Sequence, residues 1–387
     1  MTEQVVVLGS GYAGAGAIKS LESSLDGDAD LLWISDVDYH LVLHESHRCI
    51  KDPSVRDKIT IPVRDIKSPA TEFRQGTVVG IDTDDRTVHL EDGEVDYDYL
   101  LVGLGSETAF FGIDGLAENA HTLKSLDDAL GIHDAITREA EEATPSDPVE
   151  VVVGGAGLSG IQVAGEVAEL RDEHGYHIDI HLVEGLNEIY PQGTAGLQRA
   201  LRKRLEARNV DISTGEFVRE VDDDTVYVGE EGELDYDVLV WTGGITGRRA
   251  VSEIDVRTDE RTDRINAGQD FQTEDERVFA IGDCAFIDQP GDDPAPPTAQ
   301  AAWQAAEVAG ENIARAIRGQ PLEKWVFSDK GTAISVGEDA VGHDVSILPF
   351  VETFGGFPAR MLKKAIAARW ISDVDGIGRA LTAWSDM

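Results

Sequence analysis

The stretch that decides the fold is QVVVLGSGYAGAGAIKSL, residues 4–21. Residues 4–8 are a short apolar run that predicts a strand, and residues 15–21 favour a helix. Between them stands GSGYAG, residues 9–14, which is the G-x-G-x-x-G arrangement that seats a dinucleotide pyrophosphate. In this arrangement Gly9 permits the turn, Gly11 lets phosphates approach bare backbone, and Gly14 lets the helix pack closely on the strand. The free N–H groups and the helix dipole then face the anion, with Tyr12 and Ala13 in the same turn.

The motif recurs as GAGLSG, residues 155–160, after a predicted strand at residues 150–153. One Gly-rich turn is weak evidence, but two copies that each follow a β-run predict two dinucleotide sites. The second site is predicted to use Gly155, Gly157, Leu158, Ser159 and Gly160. The alternative is one nucleotide domain and a second turn that binds no phosphate.

The composition describes a globular chain of 387 residues, of which 41% are hydrophobic, long enough for two or three domains. It has no run of eighteen apolar residues and no visible signal peptide, so we expect a cytoplasmic protein. The net charge of −41 is spread along the chain and argues against nucleic-acid binding. The low lysine content and abundant Asp look like the composition of proteins from salt-loving organisms. We therefore expect the chain to lose stability at low ionic strength.

Acidic residues close both predicted nucleotide-binding units. Asp36 follows the strand predicted at residues 30–34 and is assigned to a ribose hydroxyl, although Ser35 could occupy the usual place of the acid. A surface turn rich in Asp is the other interpretation of Asp36. Glu184 closes the strand predicted at residues 178–183, where it can hold both ribose hydroxyls of an adenosine and repel a 2′-phosphate. It therefore favours NADH over NADPH, unless it is simply a solvated acid.

Residues 39–70 contain His44, His47 and Arg48 next to Cys49. No paired ligand spacing supports a metal site there. We interpret this stretch as a cover over the cofactor, with Arg48 or Lys51 facing its phosphates.

The remaining segments predict further regular structure. Short alternating segments predict an antiparallel insertion at residues 76–81, which include Val78, at residues 87–90 and at residues 97–103. Beyond residue 320 the tail is too small for a strong core of its own, so it packs on the rest of the chain or on a second subunit. Other predicted elements are strands at 225–228, 238–241 and 278–281, and helices at 126–143, 158–173, 197–209 and 298–318.

Taken in order, these pieces resemble the two-dinucleotide-binding flavoprotein superfamily and, within it, the type II NADH dehydrogenases, which are single-subunit NADH:quinone oxidoreductases. The resemblance runs from about residue 4 to residue 340. It rests on residues 9–14, YHL at 39–41, residues 97–112 and 155–160, VWTGG at 240–244, FAIGDCA at 279–285 and PTAQAAWQ at 297–304.

The resemblance implies an α/β fold with two Rossmann-like dinucleotide-binding domains, one for FAD and one for NAD, and a small C-terminal domain. The FAD-binding domain is expected at residues 1–116 and 245–320, and the NAD(H)-binding domain at 117–244. The C-terminal domain, residues 321–387, is expected to contact a membrane or a second subunit.

The resemblance also implies roles for individual residues. Asp283 would bond the ribityl chain of FAD, and the helix that starts near Ala299 would lie beside the isoalloxazine ring. Gln300 and Gln304 would line the quinone pocket, unless this Ala-rich helix only packs on the sheet. Further cofactor contacts are expected at Gly105, Gly243, Gly244 and Gly282.

Two departures from the family pattern bear on the chemistry. The family usually carries Glu two residues after the last glycine of the second motif, near the nicotinamide and the quinone face, and this chain has Gln162 there. An amide can orient a ring but cannot relay a proton. The usual Ala-Thr-Gly before the crossover between the domains reads Gly103-Leu104-Gly105, which removes a hydroxyl.

The same fold also serves other functions. Disulfide reductases and sulfide:quinone oxidoreductases need cysteines at the flavin, and Cys49 and Cys284 form no motif pair. An NADH-dependent reductase of a soluble acceptor or an iron–sulfur protein would use the same two nucleotide sites. A non-catalytic NADH-binding sensor would fit the altered Gln162.

The family resemblance further implies docking on the membrane through a C-terminal amphipathic segment. Residues 357–371 carry four cations and no acid, and the side chains of Met361, Leu362, Ile366 and Trp370 could form an apolar stripe. We predict peripheral membrane contact for this segment. It could instead pair subunits in a homodimer or cover the flavin.

Overall fold

The computed structural model describes residues 2–252, 254–291, 293–346 and 351–384. It confirms the predicted α/β class. The strands are β1 (Glu3–Leu8), β2 (Ala29–Ser35), β3 (Tyr39–Leu41), β4 (Thr60–Pro62), β5 (Thr71–Gln75), β6 (Val78–Asp82), β7 (Thr87–Leu90), β8 (Gly93–Asp96), β9 (Tyr99–Val102), β10 (Ser106–Thr108), β11 (Val149–Gly154), β12 (Ile178–Glu184), β13 (Val210–Thr214), β14 (Val218–Val221), β15 (Thr225–Val228), β16 (Gly232–Asp235), β17 (Val238–Trp241), β18 (Ile245–Gly247), β19 (Ile265–Ala267), β20 (Val278–Ala280), β21 (Ala285–Ile287), β22 (Thr332–Val336), β23 (Asp339–His343) and β24 (Thr353–Gly355).

The α-helices are α1 (Tyr12–Ser24), α2 (Arg48–Lys51), α3 (Arg56–Ile59), α4 (Val63–Ile66), α5 (Leu116–Asn119), α6 (Leu126–Ala140), α7 (Leu158–His174), α8 (Ala195–Glu206), α9 (Arg249–Ser252), α10 (Ala299–Ile317), α11 (Phe357–Asp375) and α12 (Ile377–Trp384).

Two parallel sheets carry the fold. The first has the strand order β20-β9-β1-β2-β5, and the second has the order β13-β12-β11-β17. The central strands β1 and β11 are almost continuous runs of valine because both of their faces are covered. In the first sheet Val7 pairs with Trp33 on one side and Leu101 on the other, and all three are fully buried. Each sheet therefore presents the carboxyl ends of its strands, where such folds bind ligands, along one edge.

The long helix α10 closes the first unit against α1. Small residues make the approach possible: a β-carbon on Gly16 would lie 2.7 Å from the β-carbon of Ala306, and one on Gly310 would lie 2.6 Å from the Ser20 side chain. The Ser20 hydroxyl donates to the carbonyl of Glu307 at 2.5 Å. The Ala-rich sequence of α10 therefore serves the packing of this helix on α1.

The antiparallel insertion differs in one strand from the sequence-based expectation. Its sheet has the order β6-β7-β8, and β8 covers residues 93–96, which the sequence analysis assigned to no strand. Residues 97–103 instead supply β9 of the parallel sheet. The strand β8 reads GEVD, and only Val95 of its four residues is apolar, so it carries almost no alternating signal.

The C-terminal segment contacts both nucleotide-binding units. Its sheet, β22-β23-β24, packs on α7, where a β-carbon on Gly165 would lie 2.4 Å from the Gly337 amide nitrogen. Arg204 of α8 donates to Asp339 at 2.7 Å. On the other side, Trp370 of α11 donates to His40 at 2.7 Å, next to the first Gly-rich turn. The segment thus ties the two units together.

The apolar stripe predicted on α11 is partly wrong. Trp370 is fully buried against Tyr12 and Trp303, at centroid distances of 4.8 Å for both rings. Lys363, one of the cations assigned to a lipid surface, is also buried. These side chains point into the protein because α11 packs on the first Gly-rich turn as well as on β22 and β23. No helix among the described residues is both long enough and apolar enough to cross a bilayer.

Candidate functional site

The first Gly-rich turn joins the end of β1 to the start of α1. Gly9 has φ +93°, a conformation that strains any side chain, and a β-carbon on it would lie 2.4 Å from the Gly103 carbonyl oxygen. A β-carbon on Gly14 would lie 1.8 Å from the Gly9 carbonyl oxygen, so helix and strand touch there through backbone alone. A β-carbon on Gly11 meets nothing within 4 Å. The turn is thus tightly closed on the strand side and open above Gly11.

The second Gly-rich turn repeats this geometry between β11 and α7. Gly155 has φ +91°, and a β-carbon on Gly160 would lie 1.9 Å from the Gly155 carbonyl oxygen. Gly157 again faces open space. Leu158 is 37% exposed at the start of α7. Two turns with matching open and closed sides therefore stand at the carboxyl ends of two separate sheets.

The helices behind the turns lack the caps that other helices in the chain have. Serine or threonine side chains cap α6, α8 and α10, through Ser125, Thr194 and Thr298. The N-caps of α1 and α7 are Gly11 and Gly157, which provide no side-chain hydrogen bond, and neither helix has an acidic residue in its first turn. Their first N–H groups are left for an anion, so both turns fit a dinucleotide pyrophosphate.

The two units differ at the end of the second strand. The amide of Gly9 donates to Ile34 and that of Gly155 donates to Val183, so Ser35 and Glu184 occupy equivalent positions. Glu184 is buried and accepts hydrogen bonds from the amides of Ala156, at 2.8 Å, and Leu186, at 2.9 Å.

In the first unit the Ser35 hydroxyl donates to Ser10 Oγ at 2.9 Å. Asp36, the predicted ribose ligand, lies one residue beyond this position. Its carboxylate is 3.4 Å from Arg248 and is 44% exposed. The assignment of Asp36 to the ribose stays a prediction, and the structure puts Ser35 where the second unit has its acid.

Other predicted cofactor residues line the same edge of the first sheet. Gly105 follows β9, has φ +71° and faces open space, and Gly282 follows β20 with φ +76°. Asp283 is half-buried, and its backbone carbonyl accepts a hydrogen bond from Arg264 at 2.8 Å. Burial lowers the pKa values of Lys124 and Arg264, and the nearby charge of Asp283 opposes this lowering at both groups. This open edge with a carboxylate at its end fits the role that the resemblance gave to Asp283.

Some residues that were predicted to contact a cofactor pack against other parts of the protein. Ala13 lies 3.1 Å from the β-carbon positions of Gly103 and Gly282, so it fills the space between neighbouring turns. The Tyr12 hydroxyl hydrogen-bonds His44 Nδ1, and burial raises the pKa of this tyrosine well above its usual value. His40 hydrogen-bonds the Ser10 carbonyl at 2.7 Å, and burial lowers its pKa to about 4. These contacts hold the shape of the turn.

The turn after β17 closes over the second unit. Space for a β-carbon is missing at Gly243, where it would lie 2.2 Å from the Trp241 ring, and at Gly244, where it would lie 2.6 Å from the Phe111 ring. Ser159 is half-buried beside the open side of the second turn. The two aromatic rings therefore leave room only for glycine at both positions.

Gln300 and Gln304 bond one backbone segment. Gln300 Oε1 accepts from the Lys330 amide at 2.7 Å, and Gln304 Oε1 accepts from the Ser328 amide at 3.1 Å. Gln304 Nε2 donates back to the Ser328 carbonyl at 2.9 Å. In this conformation both amides hold the 328–331 segment beside α10, close to Ala299 at the start of the helix. Their role toward a quinone stays a prediction.

Gln162 lies in a group of buried polar side chains that we call the buried cluster. Its Nε2 donates to Ser335 Oγ at 3.2 Å, and the Lys363 ammonium donates to the same oxygen at 2.6 Å and to His47 Nε2 at 3.0 Å. Glu166 Oε1 is 4.0 Å from His47 Nε2. The members of the buried cluster are Glu45, His47, Gln162, Glu166, Ser335 and Lys363.

Burial sets the protonation of the cluster. It lowers the pKa of His47 well below the usual value, with the charge of Lys363 acting in the same direction. It also lowers the pKa of Lys363, against the charge of Glu45. Burial raises the pKa of Glu166 to about 7. A carboxyl group that titrates near neutrality is therefore held inside the protein.

The sequence analysis named Gln162 and His47, assigned Lys363 to a lipid surface, and gave no role to Glu45, Glu166 and Ser335. Glu166 could have been found, because it lies four residues after Gln162 and so on the same face of α7. Lys363 and Ser335 are brought to His47 only by the packing of the C-terminal segment.

Arg48 and Lys51, assigned to cofactor phosphates, face carboxylates. Arg48 is 3.7 Å from Glu45, and Lys51 is 3.2 Å from both Glu173 and Glu338. Val78 pairs with Leu90 in the antiparallel insertion. Their assignment to the cofactor stays a prediction that these contacts do not favour.

Both cysteines are buried in the protein. Burial raises the pKa of Cys49 to about 12 and that of Cys284 to about 11, so neither is a thiolate at neutral pH. Among the described residues no three His, Cys, Asp or Glu side chains come together as a possible metal site. The arrangement favours chemistry carried by bound dinucleotides over thiol chemistry.

The chain is similar to known proteins in both sequence and fold. The sequence profile of the family described as pyridine nucleotide-disulphide oxidoreductase matches residues 3–306. A curated relative, the type II NADH:quinone oxidoreductase of Staphylococcus aureus strain NCTC 8325 / PS 47, is 29% identical over 98% of this chain and 97% of its own length.

Two solved structures share the fold. NDH2 from Plasmodium falciparum, solved in complex with NADH, superposes with a TM-score of 0.85 at 17% identity, over 100% of this chain and 98% of that one. The sulfide:quinone oxidoreductase of Aquifex aeolicus superposes with a TM-score of 0.79 at 21% identity, over 97% of this chain and 92% of that one.

Proposed function

The chain belongs to the pyridine nucleotide-disulphide oxidoreductase family, and we propose that within it the chain is an FAD-dependent oxidoreductase that passes electrons from NADH to a quinone. Family membership and the two Gly-rich turns give FAD and NAD(H) as its cofactors. The observation that carries the proposal is the pair of uncapped helices, α1 and α7, each behind an open glycine turn. The likeness to a type II NADH:quinone oxidoreductase over nearly the full chain supports the quinone as acceptor.

The residues of the first unit would hold FAD. Gly11 and Gly105 leave the backbone of this unit open to the FAD pyrophosphate. Asp283 would accept a hydrogen bond from a hydroxyl of the ribityl chain. When bound, FAD supplies the redox chemistry, since it can accept a hydride from NADH and return two electrons to a quinone. The protein aligns the partners at contact distance and needs no nucleophile of its own.

The residues of the second unit would hold NADH. Gly157 leaves the backbone open to its pyrophosphate, and Glu184, held in place by two backbone amides, would accept the ribose hydroxyls. Its charge would disfavour the 2′-phosphate of NADPH. The second unit thus selects the electron donor.

The buried thiols argue against a sulfide or disulfide substrate. Those reactions need a thiolate or a disulfide beside the flavin, and Cys49 and Cys284 are both fully buried. The likeness to the Aquifex protein is therefore a likeness of fold. A soluble or iron–sulfur acceptor would use the same nucleotide sites and is the alternative that the test must separate.

Steady-state turnover in molar salt tests the proposal. The purified holoprotein is assayed with NADH and NADPH against a panel of quinones, ferricyanide and small iron–sulfur proteins. The proposal predicts turnover with NADH and quinones. Turnover with an iron–sulfur protein and none with any quinone would instead identify an NADH-dependent reductase of an iron–sulfur protein. No turnover with any acceptor would favour a non-catalytic NADH-binding sensor.

We further propose that the C-terminal helices touch a membrane surface. Exposed apolar side chains stand at Phe357, Ile377 and Leu381, with exposed fractions of 66%, 70% and 70%. Arg360, Lys364 and Arg369 lie on α11 among them in sequence.

A double substitution of Ile377 and Leu381 by Ser should reduce binding to anionic vesicles. A matched change at Val79, an exposed apolar residue of β6, should leave binding unchanged. Equal vesicle binding by both variants and the unmodified chain would remove the idea.

A further inference from the structure

Two apolar side chains stand exposed beside Glu184 in the second unit. They are Leu186 and Phe217, with exposed fractions of 50% and 63%. Leu186 lies in the loop after β12 and Phe217 in the loop after β13, and the two loops are bonded to each other. The Gly215 amide donates to the Leu186 carbonyl at 2.8 Å, and the Glu216 amide donates to the Glu184 carbonyl at 3.1 Å. One short stretch of surface thus carries both the buried carboxylate and these two apolar side chains.

The strand order gives the direction in which a bound dinucleotide continues past Glu184. In the sheet β13-β12-β11-β17 the open glycine turn follows β11, Glu184 ends β12, and Phe217 follows β13. Neighbouring strands are about 4.8 Å apart, so these three positions follow one another along the carboxyl edge of the sheet. With a pyrophosphate on the turn and a ribose at Glu184, the next group of the nucleotide, its base, reaches the loop after β13.

We propose that the ring of Phe217 is the surface on which the adenine base of NADH stacks, with Leu186 beside it. The inference rests on the proposed function, in which the second unit holds NADH. A base has an apolar face, and stacking on an aromatic ring covers surface that both would otherwise expose to water. Phe217 therefore determines how strongly the adenosine half of the donor is bound, and it has no part in the electron transfer that follows.

Gly185 allows the ring of Phe217 to lie where it does. A β-carbon on Gly185 would lie 2.5 Å from both the Cδ1 and the Cε1 atoms of the Phe217 ring, so the ring packs on bare backbone directly after Glu184. The Phe217 carbonyl accepts a hydrogen bond from the Gly229 amide at 2.9 Å, which ties the loop to the turn between β15 and β16. A ring that is held before the ligand arrives loses little freedom on binding, and this favours affinity.

Packing of the protein core does not explain the position of Phe217. The neighbouring side chains of Val218 and Leu234 pack against a buried core of the second unit, whereas most of the Phe217 ring remains exposed. Phe217 also lines an open cavity of about 740 Å³, together with Glu216 and Glu230. A base therefore has room beside the ring without any movement of the chain.

Binding of two fragments of the donor to the oxidised holoprotein tests this inference. ADP-ribose contains the adenosine half of the donor, and nicotinamide mononucleotide contains the other half. Phe217→Leu keeps an apolar side chain but removes the ring. It should weaken the binding of ADP-ribose about tenfold, near the lower end of the effect of removing an aromatic ring under a stacked base, and leave the binding of nicotinamide mononucleotide unchanged. Phe217→Trp keeps a ring and should retain the affinity for ADP-ribose.

Isothermal titration calorimetry in molar salt measures both affinities. Val326→Ala, at a 54% exposed apolar side chain outside the second unit, is the control and should change neither. Anaerobic reduction of the flavin by NADH gives a second readout. Phe217→Leu should raise the NADH concentration that gives half of the maximal rate about tenfold and leave the maximal rate unchanged. Unaltered binding of ADP-ribose by Phe217→Leu, or an equal loss of affinity for both fragments, would overturn the inference.

Failure of this inference can be told apart from failure of the proposed function. The binding of ADP-ribose requires no electron acceptor, so an absence of turnover with quinones would not affect the calorimetric result. Conversely, unaltered binding by Phe217→Leu would leave turnover with NADH and a quinone intact. If the unmodified holoprotein binds no ADP-ribose, the assignment of NADH to the second unit is wrong, and the inference fails together with the proposed function.

Discussion

The two Gly-rich turns are built alike in backbone and differently in side chains. Each closes its third glycine against the carbonyl of the first, at 1.8 Å and 1.9 Å for an added β-carbon, and each leaves its second glycine open. The difference lies at the end of the second strand, where the first unit has Ser35 and the second has Glu184. We therefore expect the shared backbone frame to bind phosphates in both units and this one side chain to distinguish the two ligands.

The helices behind the turns diverge in the same way. Counted from the N-caps Gly11 and Gly157, the positions of Gln162 and Glu166 in α7 correspond to Gly16 and Ser20 in α1. The first pair is polar and faces the buried cluster, whereas the second pair is small and lets α10 approach. At these positions α1 therefore has small residues that allow close packing, and α7 has buried polar side chains, one of which is titratable.

The largest expected effect comes from filling the closed side of either turn. Gly14→Ala and Gly160→Ala should each destabilise the protein by about 3 kcal/mol or abolish folding, because the new methyl overlaps a backbone carbonyl. Thermal melting in molar salt measures this loss. Gly11→Ala, at an open position with negative φ, is the control and should melt within a few degrees of the unmodified chain. Equal melting of all the variants would contradict the packing that we describe.

The next largest effect is a pH dependence of stability that Glu166 gives to α7 and that α1, with Ser20 at this position, lacks. The pKa of Glu166 is raised from 4.5 to about 7 on folding, so the folded state binds an extra proton between these values. Stability from this group is present at low pH and is lost as pH rises from about 4.5 to 7, which amounts to about 3 kcal/mol by linkage. Glu166→Gln removes this loss. The melting temperature of the variant minus that of the unmodified chain should therefore be larger at pH 8 than at pH 5. A stability difference that does not change with pH would show that Glu166 stays ionised.

A smaller effect should distinguish the open sides of the two turns. Gly157→Ala should raise the KM for NADH about tenfold, since a methyl there occupies the phosphate approach at a cost near 1.4 kcal/mol. Gly11→Ala should weaken FAD retention by a similar factor and leave NADH binding intact. Fluorescence titration of each cofactor measures both. Loss of the same cofactor in both variants would mean that the turns are assigned wrongly.

The smallest effect concerns the side chain that distinguishes the units. Glu184→Gln removes the charge but keeps an acceptor for one backbone amide, so the preference for NADH over NADPH should fall about tenfold or less. The ratio of kcat/KM for the two donors measures it, with Glu188→Gln as a nearby control at a 40% exposed carboxylate. An unchanged ratio would make Glu184 a structural cap alone.

The sequence was sufficient for the fold class because the signals that decide it are local. Valine runs before glycine turns at residues 9 and 155 predict both units, and the fold class is confirmed. The weakly patterned strand β8 escaped because its side chains are mostly charged. The prediction of a membrane-facing stripe on α11 was partly wrong because only tertiary packing shows that Trp370 and Lys363 face inward.

The candidate site also contains residues that local sequence patterns place and residues that only tertiary packing brings together. The glycine turns and Glu184 lie where a βαβ pattern puts them, and that pattern can be read within thirty residues. The buried cluster brings His47 and Lys363 together across 316 positions of the chain, and no sequence period encodes such a contact. The positions of residues within a single turn were therefore predictable, and the assembly of the buried cluster by the C-terminal segment was not.

Electron transfer from NADH through the flavin to a quinone, with the two dinucleotides bound at separate sites, is tested most directly by anaerobic spectroscopy. Addition of NADH to the purified holoprotein should bleach the yellow absorbance of bound flavin, and a quinone added afterwards should restore it. A flavin that stays oxidised with NADH, or one that NADH bleaches and no quinone reoxidises, would contradict the account.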